Sequence, residues 1–252
     1  MKRFDCIGFG LATLDHLSLV ESFPQPGRKL EVAESAVEGG GPVATALATL
    51  ARLGASVAYC GRLGDDLAGR QVIDSFKRCG VNVKSVIMDS SAVTPIATVL
   101  VEQGSGRRTV LLNPGRGCFL RAGEVRENLI QQTLAVHLDG RRLAVERRVA
   151  RYARRYGVTT FLDVGSLRNS VENLLHDIDH FVVAEEYALG ITGRRSQRLA
   201  ARDLWLPSMK SLTITAGRQG AIAFDGRTFY RQPAFEVEIK DVTGAGDAFH
   251  GG

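Results

Sequence analysis

The segment Asp241-Val-Thr-Gly-Ala-Gly-Asp-Ala-Phe-His-Gly-Gly252 puts a Gly-Ala-Gly turn directly before Asp247 and an apolar helical start directly after it. Gly244 and Gly246, with Ala245 between them, let the backbone come close to an anion. The unpaired N–H groups at the start of a helix favour negative charge in the same place. Asp247, fixed in that turn, can take a proton from an alcohol that attacks a phosphoryl group. An isolated Gly-x-Gly-Asp also reads as a plain N-capped turn, but Thr243 and Asp241 on one side and Ala-Phe-His-Gly-Gly on the other argue for the anion cradle. A second carboxylate, Asp15, closely follows an apolar strand. It can accept hydrogen bonds from two vicinal hydroxyls, as a polyol ligand requires, or serve as a turn or cap residue. Gly39, Gly40 and Gly41 lead into a helix, where a glycine run acts as a hinge and also lets backbone approach a ligand.

These residues need a frame, and the chain alternates in a way that supplies one. Phe4–Gly10 reads as a strand, Pro42–Leu53 as a helix, Ser56–Gly61 as a strand and Leu67–Cys79 as a helix. Further on, Glu146–Tyr156 reads as a helix, Thr159–Asp163 and Phe181–Val183 as strands, Tyr187–Thr192 as a helix start, and Leu212–Thr215 as a strand leading to Ala221–Phe224. Alternation of this kind predicts an α/β fold with a mostly parallel sheet between helical layers. Ligands in such sheets sit beyond the carboxyl ends of the strands, where Asp15 and Arg141 of His137-Leu-Asp-Gly-Arg141 fall. Two stretches, Leu17–Val37 and Pro95–Leu112, are instead β-rich with turn signals at Pro24-Gln-Pro26-Gly27 and Gly104-Ser-Gly106. They can pair into one small sheet.

Composition narrows the classes. The 252 residues are 44% apolar and 23% charged, enough to bury the core of one α/β domain. No apolar run approaches the roughly 18 residues a membrane span needs, and Asp5 and Asp15 interrupt the signal-like basic start, so no membrane is expected. Cys6, Cys60, Cys79 and Cys118 lack metal-ligand spacing and predict reduced thiols in the cytoplasm. The net charge of +5 is largely arginine, clustered over Arg141–Arg155. Leu143, Val145, Val149, Ala153 and Tyr156 form an apolar stripe on that helix, so the arginines read as a solvated face rather than a nucleic-acid surface. Gly8-Phe-Gly10-Leu-Ala-Thr13 lacks the third glycine of a dinucleotide fingerprint, and Pro24 and Pro26 follow where its helix should run, which disfavours an oxidoreductase. There is no Gly-x-x-x-x-Gly-Lys loop.

The C-terminal segment resembles the signature of the ribokinase (PfkB) family of carbohydrate kinases. A second motif agrees in order and spacing: Glu38-Gly-Gly-Gly-Pro-Val-Ala-Thr-Ala46, Ala51-Arg-Leu-Gly54 and Gly61-Arg-Leu-Gly-Asp-Asp66. The resemblance, which runs over essentially the whole chain, implies a ribokinase-like three-layer α/β domain over 1–252 with a small β lid from about 13–38 and 94–113. It also implies a homodimer through that lid, and ATP-dependent phosphorylation of a sugar hydroxyl with magnesium. It makes Asp247, Gly244, Ala245 and Gly246 catalytic and Asp15, Gly40 and Gly41 sugar-binding. It assigns Glu185, Thr215, Gly217, Gly220 and Thr243 to the nucleotide. The family's Asn-x-x-Glu motif is replaced by Ala184 and Tyr187, so no metal ligand is named. One branch, the sulfofructose kinases, shares the Gly-Gly-Gly-Pro-x-Ala-Thr-Ala pattern, Gln232-Pro-Ala-Phe235 and Gly-Asp-x-Phe-His-Gly. That comparison places Lys29, Asn113 and Arg141 on its sulfonate-binding residues. The expected substrate is a ketohexose or 6-deoxy-6-sulfofructose. The alternatives are a neutral-sugar kinase of ketohexokinase, fructokinase or ribokinase type, and an inactive sugar-binding relative. Family members usually continue past the catalytic helix with helices that cover adenine. The ending at Gly252 therefore implies a C-terminally incomplete fold, an incomplete adenine pocket and little kinase activity for this chain.

Overall fold

The computed structural model describes residues 3–166, 171–238 and 241–252; Met1 and Lys2 of the basic start lie outside them. In chain order its elements are β1 (Phe4–Phe9), β2 (Thr13–Val20), β3 (Glu34–Gly40), α1 (Pro42–Arg52), β4 (Val57–Tyr59), β5 (Arg62–Gly64), α2 (Leu67–Arg78), β6 (Ile87–Asp89), β7 (Ile96–Glu102) and β8 (Arg108–Asn113). There follow α3 (Glu127–Gln131), β9 (Thr133–Leu138), α4 (Leu143–Tyr156), β10 (Thr159–Val164), β11 (His180–Ala184), α5 (Glu185–Thr192), α6 (Gln197–Leu204), β12 (Ser211–Thr215), β13 (Ala221–Phe224), β14 (Phe229–Gln232) and α7 (Ala245–His250).

The central sheet has the order β14-β13-β12-β11-β10-β9-β1-β4, parallel from β4 to β12 and antiparallel through β13 and β14. β1 is buried on both faces, as a central parallel strand must be. Ile7 and Phe9 join the cluster that α4 closes with Val145, Val149 and Ala153, while Cys6 belongs to the cluster under α1 and α2. A Cβ on Gly8 would lie 2.4 Å from Val43 Cγ1, so α1 is drawn tightly onto the strand. The second sheet, ordered β3-β2-β7-β8, gathers the two β-rich stretches and encloses a small core of Ala97, Val99 and Val101 with Leu17 and Leu19. A buried Arg62 clamped between Asp89 and Glu124 ties the two-stranded β5–β6 ribbon to the body.

Several boundaries differ from the sequence reading. β2 begins at Thr13, and the stretch between Val20 and Glu34, with Pro24 and Pro26, is loop. α4 starts at Leu143 rather than Glu146, which is buried inside the helix's inner face. Arg147, Arg151, Arg154 and Arg155 are exposed; Arg154 pairs with Asp177 at 2.9 Å and Arg155 with Glu127 at 2.8 Å. Among the described residues no helix is long and apolar enough to cross a membrane.

Leu162 on β10 is fully buried in the larger cluster. Leu162→Ala is expected to lower unfolding free energy by about 2–5 kcal/mol in a urea titration. A loss well under 1 kcal/mol would mean that the core is not packed around this strand.

Candidate active site

The site begins where β2 and β3 run into α1. Thr13 faces Gly40 across the antiparallel pair, and Thr13 Oγ1 donates to Asp15 Oδ1 at 2.5 Å. A Cβ on Gly40 would fall 2.0 Å from Asp15 Oδ2, so the carboxylate occupies space that any other residue would fill. Gly41 then enters α1 with φ 98°, which glycine tolerates without strain. Burial pushes the Asp15 carboxyl above the ordinary carboxylate range; the Thr13 bond opposes that shift and the charge of Asp247 adds to it. The two acids therefore sense one another across one space. A cavity of about 500 Å³ opens there, lined by Asp15, Gly40, Thr45, Thr243 and Gly244 among others.

Asp247 arrives from the opposite side on α7. Gly244 caps that helix in the left-handed region at φ 71°, and a Cβ on it would lie 3.3 Å from Thr45 Cγ2. At the other end of α7, a Cβ on Gly251 would lie 2.5 Å from the Ala46 carbonyl oxygen, so the short helix rests directly on the α1 backbone. The turn before it is braced by Thr243, whose N–H and hydroxyl both donate to Asp241 Oδ1 at 2.7 Å. Arg108 reaches over from β8 to donate to the Val242 carbonyl at 3.0 Å. Burial raises the Asp247 carboxyl, the charges of His250, Arg108 and Arg141 oppose this, and Asp139 adds to it.

Beneath Arg141 lies an acid pair. Asp139 is buried at the end of β9 and accepts from Leu11 N–H at 2.8 Å, which fastens it to the β1–β2 turn. The Arg141 N–H donates to both Asp139 Oδ1 at 3.2 Å and Glu146 Oε1 at 3.1 Å, and Arg141 Nε lies 3.5 Å from Asp139 Oδ2. Burial, then the Asp139 charge, pushes Glu146 up to about 8. At neutral pH the pair therefore carries one shared proton, and a half-buried guanidinium stands above it.

The residues assigned to the nucleotide cluster at the carboxyl ends of neighbouring parallel strands. Thr215 ends β12, with its hydroxyl 3.4 Å from the Val183 carbonyl, and Gly217 and Gly220 follow in left-handed turns at φ 52° and 87°. Glu185 opens α5 after β11 and accepts from Gln197 Nε2 at 2.7 Å. Magnesium fits this chain poorly through side chains. Ala184 offers no ligand, Tyr187 is fully buried, Glu185 is engaged by Gln197, and among the described residues no group of three acids, histidines or cysteines could hold a metal.

Asp15, Gly40, Gly41, Thr243, Gly244 and Asp247 thus come together, with Arg141 close enough for its charge to reach Asp247. Asn113 lies on the same cross-strand row as Leu14 and Ile96, and its Oδ1 accepts from Gly115 N–H at 3.1 Å. Lys29 sits on the exposed loop after β2. Sequence reasoning did not name Thr13, Thr45, Arg108, Asp139, Glu146 or His250 as site residues. Thr45 stood inside the glycine-rich motif it quoted. Arg108 had no signal, since only the assembled lid sheet brings it to Val242.

The profile of pfkB family carbohydrate kinases matches residues 4–252. The chain belongs to that family. It is a carbohydrate kinase, a transferase that phosphorylates an alcohol group. Fructokinase-1 of Zea mays is 30% identical over 234 residues, covering 84% of this chain and 71% of that protein. Fructokinase-2 of Oryza sativa subsp. japonica is 28% identical over 231 residues, covering 84% of this chain and 68% of that protein. In fold, the chain is similar to ribokinase of Arabidopsis thaliana complexed with ribose and ATP, with TM-score 0.83 and 22% identity over all of this chain and 84% of that one. Adenosine kinase of Sinorhizobium meliloti superposes with TM-score 0.85 at 20% identity, over 99% of this chain and 86% of that one. The architecture is therefore the ribokinase-like α/β fold.

The acid pair gives the family scaffold a local pH dependence. The unfolded chain releases the Glu146 proton near 4.5 and the folded chain near 8. Between those values the folded state holds the extra proton, so this group's contribution to stability falls as pH rises and is gone above about 8. Thermal melts of wild type and Glu146→Gln across that window should converge at the acid end. At the alkaline end the variant should be the more stable of the two. Parallel pH curves would show that Glu146 is not held protonated.

Proposed function

We propose that this kinase phosphorylates a hydroxyl of a ketohexose, with fructose the leading candidate. The observation that carries the reading is Asp15, bedded against Gly40, lining one cavity with Thr243 and Gly244 of the glycine turn that carries Asp247, whose charge reaches Asp15. Asp15 and the backbone of Gly40 and Gly41 hold sugar hydroxyls, and Asp247 takes the proton of the acceptor hydroxyl. That oxygen bonds to the γ-phosphorus as the bridge to ADP breaks, while the backbone at Gly244, Ala245 and Gly246 lies along the transferring group. Thr243, Thr215, Gly217, Gly220 and Glu185 take the nucleotide side. Fructokinases of about 30% identity over most of this chain support the ketose.

A 6-sulfonated ketose is the second reading, favoured by the half-buried Arg141 guanidinium above the acid pair. Lys29 and Asn113 would join Arg141 around the sulfonate. The domain assignment that accompanies both readings is one body spanning 1–252 with β2, β3, β7 and β8 as the lid. A second copy would cover the exposed Val37, Val110 and Leu112 of that sheet. Four free thiols, three of them buried, fit a reducing cytoplasm.

Asp247→Asn is expected to keep the fold and sugar binding while lowering turnover by roughly a hundredfold or more; near-normal turnover would remove Asp247 from the mechanism. Arg141→Ala decides the sugar. If a sulfonate sits on Arg141, the anionic ketose should lose about 2–5 kcal/mol of binding while fructose loses far less. Equal losses support the neutral sugar and give Arg141 a structural role.

A further inference from the structure

β1 leaves the central sheet at Phe9 and β2 of the second sheet begins at Thr13, so the peptides between them carry Asp15 from one sheet to the other. The first of these, joining Gly10 to Leu11, is held from both sides. Tyr59, which ends the neighbouring strand β4, donates its hydroxyl to the Gly10 carbonyl at 2.8 Å. Asp139, just past the end of β9 on the other flank of β1, accepts the Leu11 N–H at 2.8 Å. A planar peptide whose carbonyl and N–H are both tied cannot turn about its own axis, and its plane sets the direction in which the chain enters β2. The two side chains are themselves fixed. Tyr59 is 1% exposed, its ring stacks on Phe76 at 4.7 Å and 24°, and a Cβ on Gly61 would lie 2.3 Å from its oxygen. Burial, then the Asp139 charge, pushes the phenol far above its ordinary range, so it stays a donor. Asp139 is 2% exposed and also accepts from Arg141 N–H at 3.2 Å. The next peptide is hemmed in by Gly41, on which a Cβ would lie 2.6 Å from the Leu11 carbonyl oxygen.

We propose that Tyr59 is a positioning residue: with the Asp139 carboxylate, its hydroxyl locks the Gly10–Leu11 peptide and so fixes where β2 presents Asp15 to the sugar. The inference rests on Asp15 holding the sugar. Tyr59 does not line the cavity that Asp15 opens, so it acts through the connection and not by touching the ligand. Without the hydroxyl the Gly10 carbonyl loses its donor, the peptide is tied at one end only, and Asp15 spends part of its time away from the place that suits the sugar. Saturating sugar selects that place again. The cost therefore falls on sugar affinity and not on turnover.

The test joins amide hydrogen exchange in the ligand-free protein to steady-state kinetics with fructose and ATP. Tyr59→Phe keeps the ring on Phe76 and removes only the hydroxyl, while Asp139→Asn keeps the shape and removes the charge. In Tyr59→Phe the Leu11 amide should exchange about tenfold faster or more while the Leu162 amide of the core keeps its wild-type rate. Asp139→Asn should move the Leu11 amide in the same direction. In Tyr59→Phe the KM for fructose should rise roughly three- to tenfold, with kcat and the KM for ATP within about twofold of wild type. Where Asp15→Asn has already weakened fructose, adding Tyr59→Phe should cost little more. A Leu11 amide unchanged by both substitutions, a rise in KM shared by fructose and ATP, or a Tyr59→Phe loss undiminished in that weakened background overturns the proposal. If Tyr59→Phe frees Leu11 while Asp15→Asn leaves the KM for fructose at its wild-type value, the lock stands and it is the assignment of the sugar to Asp15 that fails.

Discussion

The site depends on how closely backbone can approach α1. This helix is gripped at two places where no Cβ fits, Gly8 of β1 under Val43 and Gly251 against the Ala46 carbonyl, and just before it Gly40 leaves the room that Asp15 takes. The two grips fix the central sheet and the turn that carries Asp247 relative to the helix, and the Gly40 contact fixes Asp15 within the second sheet. Interiors are close-packed and deform little, so a side chain at any of these points would move one carboxylate away from the other. The distance between Asp15 and Asp247 is thus set by packing far more than by any bond between them.

That packing brings acids together, and the molecule must offset the cost. Asp15, Asp139, Glu146, Asp163 and Asp247 all sit near the carboxyl ends of the strands or on the helices next to them, with Asp139, Glu146 and Asp163 buried. Removing several carboxylates from water together raises their proton affinity. Three different answers appear. Glu146 keeps its proton and shares it with Asp139. Asp163 meets the His250 ring. Burial raises the Asp247 carboxyl, and the charges of His250, Arg108 and Arg141 oppose that rise.

What could be read from the chain followed from short, rigid signals. Gly-Ala-Gly-Asp247 and Glu38–Ala46 are local motifs whose glycines mark close approach, and the alternating elements that carry them gave the sheet order its parallel character. Less legible were features that exist only after distant segments meet. Arg108 is an unremarkable strand residue until β8 pairs with β7 and delivers it to Val242. Glu146 looked like a polar start to α4, because a buried acid breaks the amphipathic pattern; its reason is Asp139, which lies on another element. The short β5, β6 and α3 carry too few residues to show any period. Lys29 was placed by resemblance alone and lies on the loop after β2.

The central claim is that Asp15 and Asp247 act on one sugar from opposite sides. A crystal structure with fructose and a non-hydrolysable ATP analogue tests it directly. The account requires vicinal hydroxyls on Asp15 and a further hydroxyl within roughly 2.6–3.2 Å of Asp247, turned toward the terminal phosphate. A sugar bound with no hydroxyl in reach of Asp247, or a nucleotide whose terminal phosphate lies away from the Gly244–Gly246 turn, would contradict it.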